Sequence, residues 1–266
     1  MTYLEKLEND TIFIIREAYQ KFRNMALLWS IGKDSTTLLW LARKAFFGKV
    51  PFPVLHIDTG YKFKEIYDFR DRFRRAWGLD LIVAKNEEAM RKGVSPGRNK
   101  FACCTERKTN ALKIAIARHG FRALYLAIRR DEHGIRGKER IFSPRDTDFK
   151  WNYLDQPAEM WDHYKTAVTG EEHIRVHPLL GWREIDIWEY IRKEDIPITS
   201  LYLAKDGRRY RSIGCECCCA PVDSDADTID RIVKELRTTD VSERSGRAQD
   251  KEEVYMMEKL RSLGYM

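Results

Sequence analysis

The chain predicts an α/β fold, a parallel twisted sheet with helices on both faces and a C-terminal segment folding back over one rim. Three observations carry that expectation. Short apolar runs alternate with stretches of helical periodicity through residues 25–193, a tight loop of small and polar residues joins the first run to the first helical stretch, and the composition shifts beyond Pro197. The boundary that follows is an α/β domain over 1–200 and an Arg- and Cys-rich segment over 201–266. At 266 residues the chain is long enough to bury a full core.

Residues 1–10 are polar and charged, unlike the start of a signal peptide, and no run of about twenty apolar residues follows. These features predict a cytoplasmic protein with no membrane partner. Residues 25–29 read as a buried strand, and Leu38, Leu41, Ala42 and Ala45 as one face of a helix. The run 53–58 is a second strand ending in the turn Asp58-Thr59-Gly60. Ile66, Phe69, Phe73 and Trp77 share a helical face within 62–77, residues 79–84 supply a third strand, and Leu112, Ala115 and Ile116 mark a helix over 106–118. A fourth strand occupies 123–128, and residues 131–173, with Gly134, Gly137, Pro144 and Pro157, read as a long functional loop. Residues 174–179 give a fifth strand, and Ile187, Trp188 and Ile191 give the inner face of a helix over 184–193. Two short helices near 227–237 and 251–263 belong to the C-terminal segment. Ligands of a parallel sheet collect beyond the carboxyl ends of its strands, so the loop after 25–29, the Asp58-Thr59 turn and Arg129-Arg130 share one rim.

The loop Ser30-Ile31-Gly32-Lys33-Asp34-Ser35-Thr36 is the most informative stretch. A strand-to-helix loop turns backbone N–H groups and a helix N-terminus, both partly positive, toward a volume that suits a phosphate. Gly32 lets the backbone approach a ligand, Ser30, Ser35 and Thr36 add hydroxyls, and Lys33 adds a full charge. The spacing is not that of a Walker A loop. The plainer alternative is an ordinary turn with Asp34 or Ser35 as helix cap.

Arg129-Arg130-Asp131-Glu132 opens a basic stretch that runs to Arg145 and suits bidentate binding of phosphate or sulfate. Its alternative is a solvated loop with internal ion pairs. A net charge of +7 suits nucleic acid and small anions alike. Six cysteines fall in two clusters, Cys103-Cys104 and Cys215, Cys217, Cys218 and Cys219, unlike a secreted disulfide framework. Metal or redox chemistry is the leading reading, with buried reduced thiols beside it.

The loop resembles the PP-loop, S-x-G-K-D-S, of the ATP pyrophosphatase superfamily, whose members cleave ATP between the α and β phosphates. With it stand His56-Ile57-Asp58-Thr59-Gly60, the stretch from Arg129 to Lys138-Glu139-Arg140-Ile141-Phe142-Ser143, residues 174–179 with Trp188, and Ser242-Glu243-Arg244-Ser245-Gly246-Arg247. Together they resemble the small subunits, subunit 2, of bacterial sulfate adenylyltransferases (ATP sulfurylases) over nearly the whole chain. The resemblance implies an adenine nucleotide alpha hydrolase-like fold and a nucleotidyltransferase. It would use ATP with Mg2+ and sulfate to make adenosine 5′-phosphosulfate and pyrophosphate in sulfate assimilation. On that reading Lys33, Asp34, Arg129 and Arg130 are catalytic, and Ser30, Ile31, Gly32, Ser35, Thr36, Asp58, Thr59, Arg209, Arg211, Arg244 and Arg247 join Lys33 in binding ATP. A separate GTPase large subunit is the implied partner, and a homo-oligomer stays open.

The cysteines depart from that family. Cys103-Cys104 with Cys215-x-x-Cys218 resembles the pattern of assimilatory adenylylsulfate reductases, which implies a 4Fe-4S cluster on Cys103, Cys104, Cys215 and Cys218, with zinc as the rival. A reductase needs a nucleophilic cysteine on a C-terminal tail, and 261–266 holds none. Cys217 and Cys219 would suit a persulfide, the route of PP-loop enzymes that insert sulfur into tRNA or DNA, though no nucleic-acid-binding module is evident. A nucleotide-binding regulator without catalysis is the last alternative.

Overall fold

The computed structural model describes residues 1–164, 173–247, 259–260 and 263–264. Its elements run α1 (Tyr3–Phe22), β1 (Met25–Leu28), α2 (Lys33–Ala45), β2 (Val54–Ile57), α3 (Lys64–Ala76), β3 (Leu81–Ala84), α4 (Glu87–Arg91) and α5 (Lys100–Cys104). There follow α6 (Ala111–His119), β4 (Ala123–Tyr125), β5 (Phe142–Arg145), β6 (His173–Val176), α7 (Glu184–Glu194), β7 (Arg208–Arg209), β8 (Val222–Asp223) and α8 (Ile229–Leu236).

The strands are short, and their alternation builds two apolar layers. Met25 and Leu27 of β1 join the layer that contains residues of α1, α2, α3, α7 and α8, whereas Ala26 and Leu28 join Leu112, Ala115 and Ile116 of α6 on the opposite face. The six-stranded sheet has the order β3-β2-β1-β4-β6-β5, with β5 antiparallel to β6 and every other pairing parallel. Strand order reverses between β1 and β4, so the crevice beyond their carboxyl ends is where such a sheet takes a ligand. The expected parallel sheet with helices on both faces is therefore present.

Three features differ from the sequence reading. Tyr3–Phe22, to which the sequence reading gave no element, forms α1, which starts at a capping box between Thr2 and Glu5 and packs Ile14, Ile15, Ala18 and Phe22 inward. The stretch 131–173 is not one long loop, because it contains β5, whose Pro144 is accommodated on an edge strand. The helix expected over 106–118 begins as a π-helical turn, Thr105–Asn110, continuous with α5 and α6. Most of the helix expected over 251–263 lies outside the described residues. Among the described residues no helix is long and apolar enough to cross a membrane.

Candidate active site

β1 delivers the chain into the loop with Ile31 at φ 68°, a left-handed conformation rare for a β-branched residue and held here by full burial of its side chain. α2 then starts at Lys33 with Gly32 as its N-cap and no side-chain cap, so the alternative cap at Asp34 or Ser35 is not what the chain uses. The hydroxyls are set by local bonds. Ser30 and Ser35 lie 3.1 Å apart, Ser35 also donates to the Gly32 carbonyl at 3.1 Å, and Trp29 Nε1 donates to Thr36 at 3.1 Å. The Lys33 N–H donates to the Tyr202 hydroxyl at 2.8 Å.

A cavity opens over this loop. Ser30, Gly32, Lys33, Asp34 and Ser35 form one wall, and Leu28, Leu126, Ile128 and Ile213 give an apolar one. Lys62, Lys108, Arg136, Arg244 and Arg247 bring cations to it. A cleft with one apolar wall, a loop of amides and hydroxyls, and a cluster of cations is built for a molecule with a flat apolar end and an anionic end.

Beneath the cavity lies a buried chain of charges. Glu243 pairs with both Lys33 and Arg129, and Arg129 pairs further with Asp34 and, at 2.9 Å, with Asp131. Lys33 Nζ reaches Asp34 at 3.2 Å. Burial alone would raise the Glu243 pKa, but the Arg129 and Lys33 charges hold it down at about 2. Arg129 stays protonated despite its burial because Glu243, Asp131 and Glu184 surround it. Asp131 also accepts the Glu184 N–H at 2.7 Å, which ties the network to the start of α7. A second carboxylate, Glu132, pairs with Arg136 and, at 3.1 Å, with Arg244.

The expected residues therefore separate into groups. Ser30, Gly32, Lys33, Asp34, Ser35, Arg244 and Arg247 line the cavity. Ile31 and Thr36 support the loop from beneath. Arg129 is fully buried and pairs with Asp34 and Glu243 rather than lining the cavity. Arg130 turns away into a different cavity beside Lys6, Thr11 and Trp182. Arg209 is held by Glu235 and Ser224, and Arg211 by Glu184 and the Val241 carbonyl, so both brace the C-terminal segment. Asp58 accepts the Gly60 N–H at 2.9 Å and the Tyr67 hydroxyl at 2.8 Å and pairs with Lys85 at 3.1 Å, and these donors outweigh burial and lower its pKa. Lys62, Lys108, Tyr202 and Glu243 had no role at this cavity in the sequence reading, whereas Glu132 and Arg136 lay in the basic stretch expected to bind an oxyanion. Glu243 lay within a stretch already singled out, but its partners Lys33 and Arg129 stand 210 and 114 residues away.

A second cavity adjoins the first, with Lys62, Lys108, Gly214 and Arg247 lining both. Thr59, Cys103, Cys104, Cys215, Cys217 and Cys218 complete much of its wall. α5 carries the first cysteine pair, while the Glu216 N–H bonds to the Tyr61 carbonyl at 2.8 Å and the Thr59 hydroxyl lies 3.1 Å from Cys215 Sγ, docking the second cluster on the loop after β2. Burial raises the Cys103 thiol to about 12 and pushes Cys218 up as well. Cys215 goes the other way: burial opposes ionisation, but Lys62, Thr59, Lys108 and Arg247 lower its pKa. Among the described residues no group of three or more His, Cys, Asp or Glu side chains is arranged to hold a metal ion. What the fold provides is the shared cavity, not a formed metal site.

Comparison with known proteins agrees with this geometry. The phosphoadenosine phosphosulfate reductase domain model matches residues 24–221. Sulfate adenylyltransferase subunit 2 of Geotalea uraniireducens is 42% identical over an alignment covering 100% of this chain and 98% of that protein. The protein of the same name from Klebsiella pneumoniae is 40% identical with the same coverage. Among solved structures, phosphoadenylyl-sulfate reductase from Candida auris superposes with TM-score 0.57 at 18% identity, over 84% of this chain and 98% of that one. FMN adenylyltransferase from Candida glabrata in complex with ATP gives TM-score 0.58 at 19% identity, over 82% and 63%. At such identities these two structures speak for the fold alone.

Proposed function

The chain belongs to the phosphoadenosine phosphosulfate reductase domain family and to the sulfate adenylyltransferase subunit 2 family, and on that premise we propose that it transfers the adenylyl group of ATP to sulfate. The products are adenosine 5′-phosphosulfate and pyrophosphate. One observation carries the reading: in a chain like these relatives along its whole length, Ser30, Gly32, Lys33, Asp34 and Ser35 wall a cation-rich cavity at the sheet's switch point.

Sulfate is already an anionic nucleophile, and pyrophosphate with Mg2+ is a stabilised leaving group, so the chain's task is positioning and charge neutralisation. Adenine takes the apolar wall, the loop amides and Lys33 hold the departing pyrophosphate, and Arg136, Arg244 and Arg247 offset the charge of the two anions as they meet. Asp34 is the loop carboxylate at the cavity, suited to contact Mg2+ through water. Glu243 and Arg129 keep Lys33 and Asp34 in place.

We assign a 4Fe-4S cluster to Cys103, Cys104, Cys215 and Cys218, supported by their common cavity and by the cations Lys62, Lys108 and Arg247 around it. Zinc accepts the same four sulfur ligands and is the rival occupant. When bound, the cluster supplies a tether between α5 and the C-terminal segment. Phosphosulfate formation is uphill, so we place a separate GTPase large subunit beside this chain, and the reaction in the cytoplasm, where thiols stay reduced. Incubation with labelled sulfate and MgATP tests the assignment. Labelled adenosine phosphosulfate should form one-for-one with pyrophosphate, and ADP with phosphate as products would refute it.

A further inference from the structure

Arg247 stands between the two cavities and lines both. It is only 5% exposed, so its contacts rather than solvent decide where the guanidinium points. Arg129 and Arg244 are steered by carboxylates, Glu243 and Glu132. Arg247 is steered differently. Among the described residues it makes no carboxylate ion pair, and its Nε has no hydrogen-bond partner.

Three features hold it. Its Nη1 donates to Cys219 Sγ at 3.2 Å, and the same sulfur accepts the Gly214 N–H at 3.1 Å. Cys219 and Arg247 pair as an antiparallel bridge, reinforced by the Ala220 N–H to Gly246 carbonyl bond at 2.9 Å. The guanidinium also lies flat against Gly214, where a Cβ would meet Nη1, Nη2 and Cζ at 2.3, 2.5 and 2.6 Å. A Cβ at 214 would therefore displace the guanidinium.

We propose that Cys219 is a positioning residue, whose sulfur, together with the bare Cα of Gly214, aims the Arg247 guanidinium at the anionic end of ATP. A thiol orients a guanidinium without the negative charge that a carboxylate brings, so Arg247 keeps its full attraction for phosphate. The role separates Cys219 from Cys103, Cys104, Cys215 and Cys218, which face the adjoining cavity. It also explains why Ser245-Gly246-Arg247 docks on the cysteine segment: a Cβ at Gly246 would meet the Ala220 carbonyl oxygen at 2.3 Å, so only glycine permits the bridge. The inference rests on the reading that the first cavity takes ATP.

A double-mutant cycle on the full chain tests it, with MgATP affinity measured by equilibrium titration in the absence of sulfate. Cys219→Ala and Gly214→Ala should each weaken binding about tenfold, the usual effect of losing one hydrogen bond to a charged group. Cys219→Ser keeps an acceptor and should retain most of the affinity. In an Arg247→Ala background, Cys219→Ala should add almost nothing. Gly214→Ala displaces only the tip of a flexible side chain, so it remains informative if Cys219→Ala fails to fold. Equal losses in both backgrounds, or none in the wild-type background, would overturn the positioning role. A wild type that shows the cycle but makes no adenosine phosphosulfate would overturn the sulfate assignment and leave the role of Cys219 standing.

Discussion

Lys33 is the residue on which the proposed chemistry turns, because it lines the cavity proposed to hold the leaving pyrophosphate and its own N–H opens α2. Replacing it by Ala should slow sulfate-dependent turnover by roughly 10²-fold, as for removal of a preorganised group that stabilises developing charge. Its place on the cavity was legible in the loop sequence. Glu243 was not assigned, because a carboxylate that reaches Lys33 across 210 residues leaves no local pattern. Its titration gives a separate prediction. The folded pKa of about 2 lies below the ordinary glutamate value of 4.5, so the stability Glu243 contributes is present above pH 4.5 and is lost as pH falls through 2. Glu243→Gln leaves Lys33 and Arg129 short of a buried counter-charge and should cost about 3 kcal/mol at neutral pH. Urea titrations from pH 7 to pH 2 should show a shallower acid loss for the variant than for the wild type. Parallel curves would contradict the ion-pair account.

Elements were legible where their periodicity was clean. The parallel strands β1, β2, β3, β4 and β6 and the helix α7 all fall within or near the stretches expected from sequence. β5 was hidden because Pro144 and flanking basic residues read as loop, and only its place at the sheet edge makes a proline tolerable there. Within the Arg-rich stretch Arg130, a neighbour of fully buried Arg129, faces a different cavity, while Arg136 lines the main one. The cysteine-bearing elements carry the next prediction. α5 and the 214–218 segment face each other across one cavity, so a cluster on Cys103, Cys104, Cys215 and Cys218 would join them. Cys104→Ser should abolish the broad visible absorption of anaerobically purified protein. It should also raise amide exchange in 212–219 before the strands of the sheet. Protein that carries stoichiometric zinc, or that lacks metal with unchanged exchange, would refute the cluster.

For the whole molecule, the sheet does the positioning: reversal of strand order between β1 and β4 opens the crevice, and the C-terminal segment brings Tyr202, Glu243, Arg244 and Arg247 across it. The parallel sheet and its ligand-bearing rim follow from alternating apolar runs, whereas the closing segment's grip on Lys33 and Arg129 depends on long-range pairs that no window of sequence contains. In the proposed reaction one cavity brings ATP and sulfate together for adenylyl transfer. Exchange of labelled pyrophosphate into ATP, measured with and without sulfate on wild type and Lys33→Ala, tests it most directly. Exchange should require sulfate and fall by about 10²-fold in the variant. Exchange that proceeds without sulfate, or that appears only when tRNA or DNA is supplied, would contradict it.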